Sequence, residues 1–367
     1  MAYVAARGGE QAILAAEQFH GVLNGPLNAA LVHAIKENLP YLVDRVMGEG
    51  SLYAPELAAL ALAQTGGDLY EAVLLLRAYR STQPRIAYAR TVRQNEVQTV
   101  RRISAAFKDI PGGQILGPSL DYSHRLLRLD LLDGANAESH DEQPVDLDQS
   151  SSTNLQSSIF NLHSSLPAVA DWQRDEGLLA RLPQDEPPDP AGLPDVTREP
   201  ISFPAPRAHR LQSLARADTG GVLALGYASM RGYGLAHPTV NELRLGYANV
   251  TLRHPVTGVE FSAGRVRVSQ AEVINAGIGK TGDSPLQLGF TATIGWNEVK
   301  TIAGAMLDLE MSATNPHPAH QEEFVLYHTE PVEASGFCIH FKLPHYVTFG
   351  SALDNLRKAK DGDKEIA

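Results

Sequence analysis

The chain has 367 residues, 13 His, one Cys and a formal net charge of −11, with 43% hydrophobic and 20% charged residues. This is globular material with length for two or three domains, and one thiol excludes both a disulfide framework and an iron–sulfur cluster held by this chain alone. With no apolar run near the ~20 residues that span a bilayer, no secretory pattern at Met1-Ala2-Tyr3-Val4 and an acidic balance, the expectation is a cytoplasmic protein, not a membrane or dedicated nucleic-acid binder, in which a local basic pocket remains open.

The first 110 or so residues read as helical. Glu10 to Phe19 sets Ile13, Leu14 and Phe19 among alanines, and Ala54 to Gln64 carries Leu57, Leu60 and Leu62 behind Pro55, a first-turn residue. Thr65-Gly66-Gly67-Asp68 predicts a stop and a restart: a glycine takes the left-handed cap and Asp68 accepts from the next helix's free N–H groups. Leu69 to Ser81 is apolar on most sides and predicts a buried helix with Arg77 and Arg80 at its C-terminal end, giving a helical hairpin. Residues 134–158 are acidic and polar and predict a solvated loop, and Pro183 to Pro206 predicts an extended, Pro-rich run. A short helix is expected near Leu211 to Ala217, followed by an apolar stretch from Val222 to Tyr227. From Glu242 the residues alternate, and His254-Pro255-Val256-Thr257-Gly258 predicts the turn of a β-hairpin or meander. Leu286 to Trp296 alternates again, and Asn297 is read as the cap of a helix running to about Met311. The fold class is α+β. Its expected regions are a helical 1–133, the loop 134–158, a Pro-rich connector 159–240, and a 241–367 region of strands and a mixed, His-rich end.

Three clusters could carry chemistry. His317, His320, His328, His340 and His345 put five of the 13 His into 29 residues, and His340 and His345 form a His-x4-His pair. That spacing suits metal binding, with Pro344 directing the pair to converge from a strand or turn and a third ligand coming from elsewhere; one core and one surface His explain it equally. Arg101 to Gln114 joins a basic run, including Arg102 and Lys108, to Gly112-Gly113, whose backbone could approach a phosphate; a Pro-Gly turn beside a solvated basic face is the other reading. Met230-Arg231-Gly232-Tyr233-Gly234 reads as a tight loop where the backbone approaches something closely, or as a plain turn. Glu322-Glu323 offers paired carboxylates beside the His cluster.

Several long segments together resemble the PhnI family, a core subunit of the bacterial carbon–phosphorus lyase complex. They are Tyr3-Val4-Ala5-Ala6-Arg7-Gly8-Gly9-Glu10, Val43-Asp44-Arg45-Val46-Met47, Leu74-Leu75-Leu76-Arg77-Ala78-Tyr79-Arg80, Arg102 to Gly117, Asp121 to Leu127, Arg231 to Pro238 and Glu322 to Tyr346. The resemblance implies displacement of adenine from MgATP by a phosphonate oxygen at ribose C1′, carried out with PhnG, PhnH and PhnL, and nucleosidase activity when water is the acceptor. It also implies that PhnJ, a radical-SAM subunit, later breaks the carbon–phosphorus bond, and that His340 and His345 bind zinc at the contact with PhnJ. For that chemistry Glu322 or Glu323 is expected to support a ribosyl cation, while Arg102, Lys108, the Gly112-Gly113 backbone and Arg231 bind substrate. Without a recognised nucleotide-binding motif, a non-catalytic scaffold subunit is the alternative.

Overall fold

In a computed structural model of the chain, the residues described are 9–122, 125–133, 166–181, 189–233, 238–276, 285–342 and 346–365. The expected loop at 134–158 lies outside them. Among these residues, helices α1 (Gly9–Asn24), α2 (Ala29–Asn38), α3 (Pro40–Gly50), α4 (Pro55–Gln64) and α5 (Leu69–Ser81) come first. The stop between α4 and α5 forms as its residues dictate. The Gly67 N–H reaches back to the Leu62 carbonyl at 2.9 Å, and Asp68 accepts from the Tyr70 and Glu71 N–H groups at 3.0 and 3.2 Å. Val46 and Met47 of α3, Leu62 of α4 and Val73 and Leu76 of α5 close one hydrophobic core. Helix α1 buries none of its residues.

Helix ends at Ser81, short of the expected 110. The 98–103 segment (Gln-Thr-Val-Arg-Arg-Ile) becomes β1, because the edge of a sheet built much later in the chain offers it a partner. That sheet is antiparallel and runs β1 (Gln98–Ile103), β2 (Thr239–Arg253), β3 (Glu260–Ala276), β4 (Leu286–Ile294) in order. The other helices are α6 (Val169–Asp175), α7 (Arg207–Arg216), α8 (Thr219–Ala228), α9 (Glu298–Met311), α10 (Glu322–His328), α11 (Pro331–Lys342) and α12 (Tyr346–Glu365). The architecture is α+β, as expected. Beyond β4 the described chain is helical, and β1 is a single short strand in the mainly helical 1–133 region.

The period of a strand sorts the sheet into two faces. Leu243 of β2 and Ala271 and Val273 of β3 pack against Ala305 and Leu309 of α9. Gly289 of β4 allows that approach, since a Cβ there would stand 2.1 Å from the Ala305 carbonyl oxygen. On the opposite face Arg102, Glu242, Arg244 and Glu272 form a buried polar layer. Arg102 Nε lies 3.0 Å and Arg244 Nη2 2.5 Å from Glu242 Oε1, and the Val169 N–H of α6 donates to Glu242 Oε2 at 2.8 Å. Glu272 accepts from the Gln94 and Asn241 side chains, both at 3.0 Å. No helix among the described residues is long and apolar enough to cross a membrane.

Candidate active site

The adjacent Arg101 and Arg102 part company. Arg102 faces the polar layer, fully buried, where its guanidinium also donates to the carbonyls of Pro111, Gly113 and Pro167 at 2.7, 2.9 and 2.8 Å. It therefore ties down the Pro-Gly-Gly loop and presents no charge at the surface. The Gly113 N–H is held by the Ile110 carbonyl at 2.8 Å, while Lys108, Gly112 and Gly113 are exposed. Beyond this loop Ile115 pairs with Arg102, and Gly117, at φ 57°, crosses β1 so closely that a Cβ would meet the Val100 carbonyl oxygen at 2.2 Å.

That crossing delivers residues 118–121 to the face Arg101 occupies, where they close a cavity of about 310 Å³. Its walls include Arg45 of α3, Asp121, Arg125, Trp296, and Glu298 and Lys300 of the first turn of α9. Arg101 organises the carboxylates: its Nε pairs with Glu298, its Nη2 lies 3.1 Å from Asp121 Oδ2, and its Nη1 donates to the Leu116 carbonyl at 2.5 Å. Arg125 adds a contact to Asp121 Oδ1 at 3.1 Å. On the far wall Arg45 pairs with Glu49 at 2.9 Å and Asp218 at 3.3 Å, and the Thr219 hydroxyl donates to Glu49 at 2.7 Å. Lys300 is buried, with Nζ donating to the Ala215 carbonyl at 2.7 Å. Burial pulls its pKa down to about 8, and burial raises the Glu298 carboxyl despite Arg101. Burial also raises Asp44, whose Oδ2 accepts from the Trp296 N–H at 2.9 Å and so pins the strand-to-helix junction that carries Glu298. Two carboxyl groups and two arginines line this cavity, with Lys300 in the same wall and its ammonium turned to the Ala215 carbonyl; such a set can donate a proton, support developing positive charge and hold an anion.

The chain is similar along its whole length to proteins of phosphonate metabolism. The family model described as bacterial phosphonate metabolism protein (PhnI) matches residues 2–363. The chain belongs to the PhnI family. HtxH of Stutzerimonas stutzeri, provisionally named a C-P lyase subunit protein, is 45% identical over 98% of this chain and 96% of its own. Two relatives are each named alpha-D-ribose 1-methylphosphonate 5-triphosphate synthase subunit PhnI. The Rhizobium meliloti (strain 1021) protein is 38% identical over the full length of both chains, and the Escherichia coli (strain K12) protein is 39% identical over 97% of this chain and 98% of its own.

Two of the segments that carry the PhnI resemblance meet at the cavity: Val43 to Met47 brings Arg45, and Asp121 to Leu127 brings Asp121 and Arg125. The other expected site residues lie apart. Glu322 is engaged by the Ala205 N–H at 3.0 Å and Arg210 at 3.3 Å, Glu323 is exposed on the first turn of α10, and Arg231 sits in a single π-helical turn with its guanidinium 5.9 Å from the Tyr227 ring centroid. Of the crowded His, the His317 and His320 rings meet edge to face at 5.9 Å. His317 accepts from the Ala319 N–H, His328 Nδ1 donates to the Phe324 carbonyl at 2.7 Å, and His320 is buried near Leu225 and Glu310. His340 stands in the last turn of α11, on a helix where a strand or turn was expected, and His345 lies outside the described residues. No group of three metal-ligating side chains is assembled among the described residues. Glu298 and Lys300 were not singled out in the sequence; their signal is a helix start straight after a Gly-Trp-Asn junction, placed by Asp44 from 252 residues away.

Proposed function

We propose that this chain catalyses ribosyl transfer from MgATP to a phosphonate in the cavity between α3, residues 118–121 with Arg125, and the start of α9. The C1′–N9 bond breaks with its electron pair leaving on adenine, which takes up a proton, and a phosphonate oxygen forms the new bond to C1′. With water in place of the phosphonate, the same steps release adenine and ribose 5-triphosphate. Lys300, near pKa 8, is assigned the proton donor to departing adenine. Asp121 and Glu298, held by Arg101, are assigned support of the oxocarbenium-like state, as carboxylates serve in glycoside hydrolysis. Arg125 and Arg45 are assigned contacts to phosphate or phosphonate oxygens. One observation carries the reading: these groups, from three distant segments, converge on one cavity in a chain whose relatives are named synthase subunits.

Adenine release from MgATP tests it, using the chain alone with water and the assembled synthase with methylphosphonate. Asp121→Asn and Lys300→Met are expected to lose activity while Glu323→Gln keeps it; the reverse order returns the role to α10. PhnG, PhnH and PhnL are the proposed partners of this step and PhnJ of the next, in the cytoplasm. Zinc at His340 and His345 is a further part of the proposal. In the sequence His340 falls near the end of α11 and His345 just before α12, and a His pair is a donor set suited to that metal but short of a closed site, so the remaining ligands are assigned to PhnJ. A scaffold role is favoured by one observation, the exposed Ile13, Leu14, Phe19, Val22 and Leu23 of α1, and it predicts no adenine release without partners.

A further inference from the structure

A second cavity, of about 400 Å³, opens where the end of α5 and residues 83–85 meet Thr197 and Arg198. Three guanidinium groups line it, those of Arg80, Arg85 and Arg198. Arg85 is neutralised by Asp195, 2.8 Å away, and reaches the Thr197 hydroxyl at 3.4 Å. The Arg80 and Arg198 side chains make no hydrogen bond or salt bridge with any described residue, although both feel the Asp195 carboxylate, and Arg80 Nη1 is buried without an acceptor. A buried N–H left unpaired carries a full desolvation cost, larger when the group is charged. Behind Arg80 stands Arg77, itself held by Glu330 and by the Glu49 and Arg216 carbonyls. Burial, and then repulsion from Arg77, lower the Arg80 pKa, so an anion arriving at Nη1 relieves both. Ser51, which ends α3 in the left-handed cap conformation at φ 54°, also lines the cavity.

We propose that this cavity is a binding site for a polyphosphate, with Arg80 and Arg198 as its unpaired cationic contacts. Three guanidiniums against the one Asp195 carboxylate leave an excess of two positive charges, which calls for at least two negative ones, and planar N–H pairs match phosphate oxygens. A single phosphate leaves much of the volume unfilled, which favours the longer anion. The inference does not rest on ribosyl transfer, because it needs no turnover.

Isothermal titration of the full chain at fixed ionic strength, with tripolyphosphate, inorganic phosphate and chloride as probes, tests it. Saturable one-to-one binding of tripolyphosphate is expected, about tenfold or more tighter than phosphate, with no response to chloride. Arg80→Met should abolish binding. Arg198 is exposed, so Arg198→Ser should fold normally while weakening binding about tenfold. Equal affinity in the wild type and Arg198→Ser overturns the proposal, as does a tripolyphosphate response no greater than that of chloride. Loss in Arg125→Ser but not in Arg198→Ser also overturns it, by moving the anion to the first cavity.

Discussion

Lys300 and Glu272 are both buried, and they answer pH in opposite ways. Burial, then repulsion from Glu242, lifts Glu272 from 4.5 to about 7, so the folded chain binds more protons than the unfolded one between those values. Its contribution to stability is therefore lost as pH rises from about 4.5 to about 7, by roughly 3 kcal/mol in all. Glu272→Gln should erase that slope, which urea unfolding at pH 5 and pH 7.5 measures; an unchanged slope contradicts the assignment. Lys300 sits below its ordinary value, so the fold holds fewer protons between about 8 and 10.5 and stability rises with pH across that window. Lys300→Met should then be more stable than the wild type at pH 7, by up to about 3 kcal/mol, while losing activity, the sign expected of a functional group kept at a cost. At this scale the sequence is least informative. Arg101 and Arg102 read as one basic cluster, yet strand alternation sends one into a polar layer and the other onto the cavity's carboxylates. The His crowding is legible in part: the His317 and His320 rings meet edge to face at 5.9 Å, while His328 turns to the Phe324 carbonyl.

Elements were far more legible. The α4–α5 hairpin, the β2–β3 turn and the start of α9 follow from local chemistry: glycine caps, an Asp cap and period-two alternation. Asn297 marks the start of α9, though its side chain donates to the Asp44 and Ile294 carbonyls and caps nothing. What the local pattern lacks is partnership. β1 is a strand because β2 pairs Gln98 with Tyr247, 149 residues later, and the expected strand or turn at His340 is a helix because Pro344 falls after that element rather than within it. The packing of α9 on β4 is the joint that aims Glu298 and Lys300, and it depends on Gly289. Gly289→Ala should destabilise the fold by about 2–3 kcal/mol through overpacking and reduce activity with it. Thermal unfolding with activity measured below the transition checks this; a wild-type midpoint would show that α9 is free to shift.

For the molecule as a whole, the proposed chemistry sits where three segments that are remote in sequence close one cavity, and faces such as α1, which buries none of its residues, are left for the proposed contact with other subunits. Family membership was visible in long motifs before any geometry was known, but which motif residues meet was not. The proposed zinc belongs to this scale, since two histidines complete no site alone. A His340→Ala/His345→Ala chain assembled with its partners should lose zinc, and unchanged metal content removes the site from the account. The most direct measurement of the central claim is adenine release from MgATP and methylphosphonate by the assembled synthase carrying Asp121→Asn or Lys300→Met, with folding and assembly verified for each. The account predicts that each falls about a hundredfold or more, and that the wild-type rate changes with a limb near pH 8 set by Lys300. Full adenine release by both variants would contradict it.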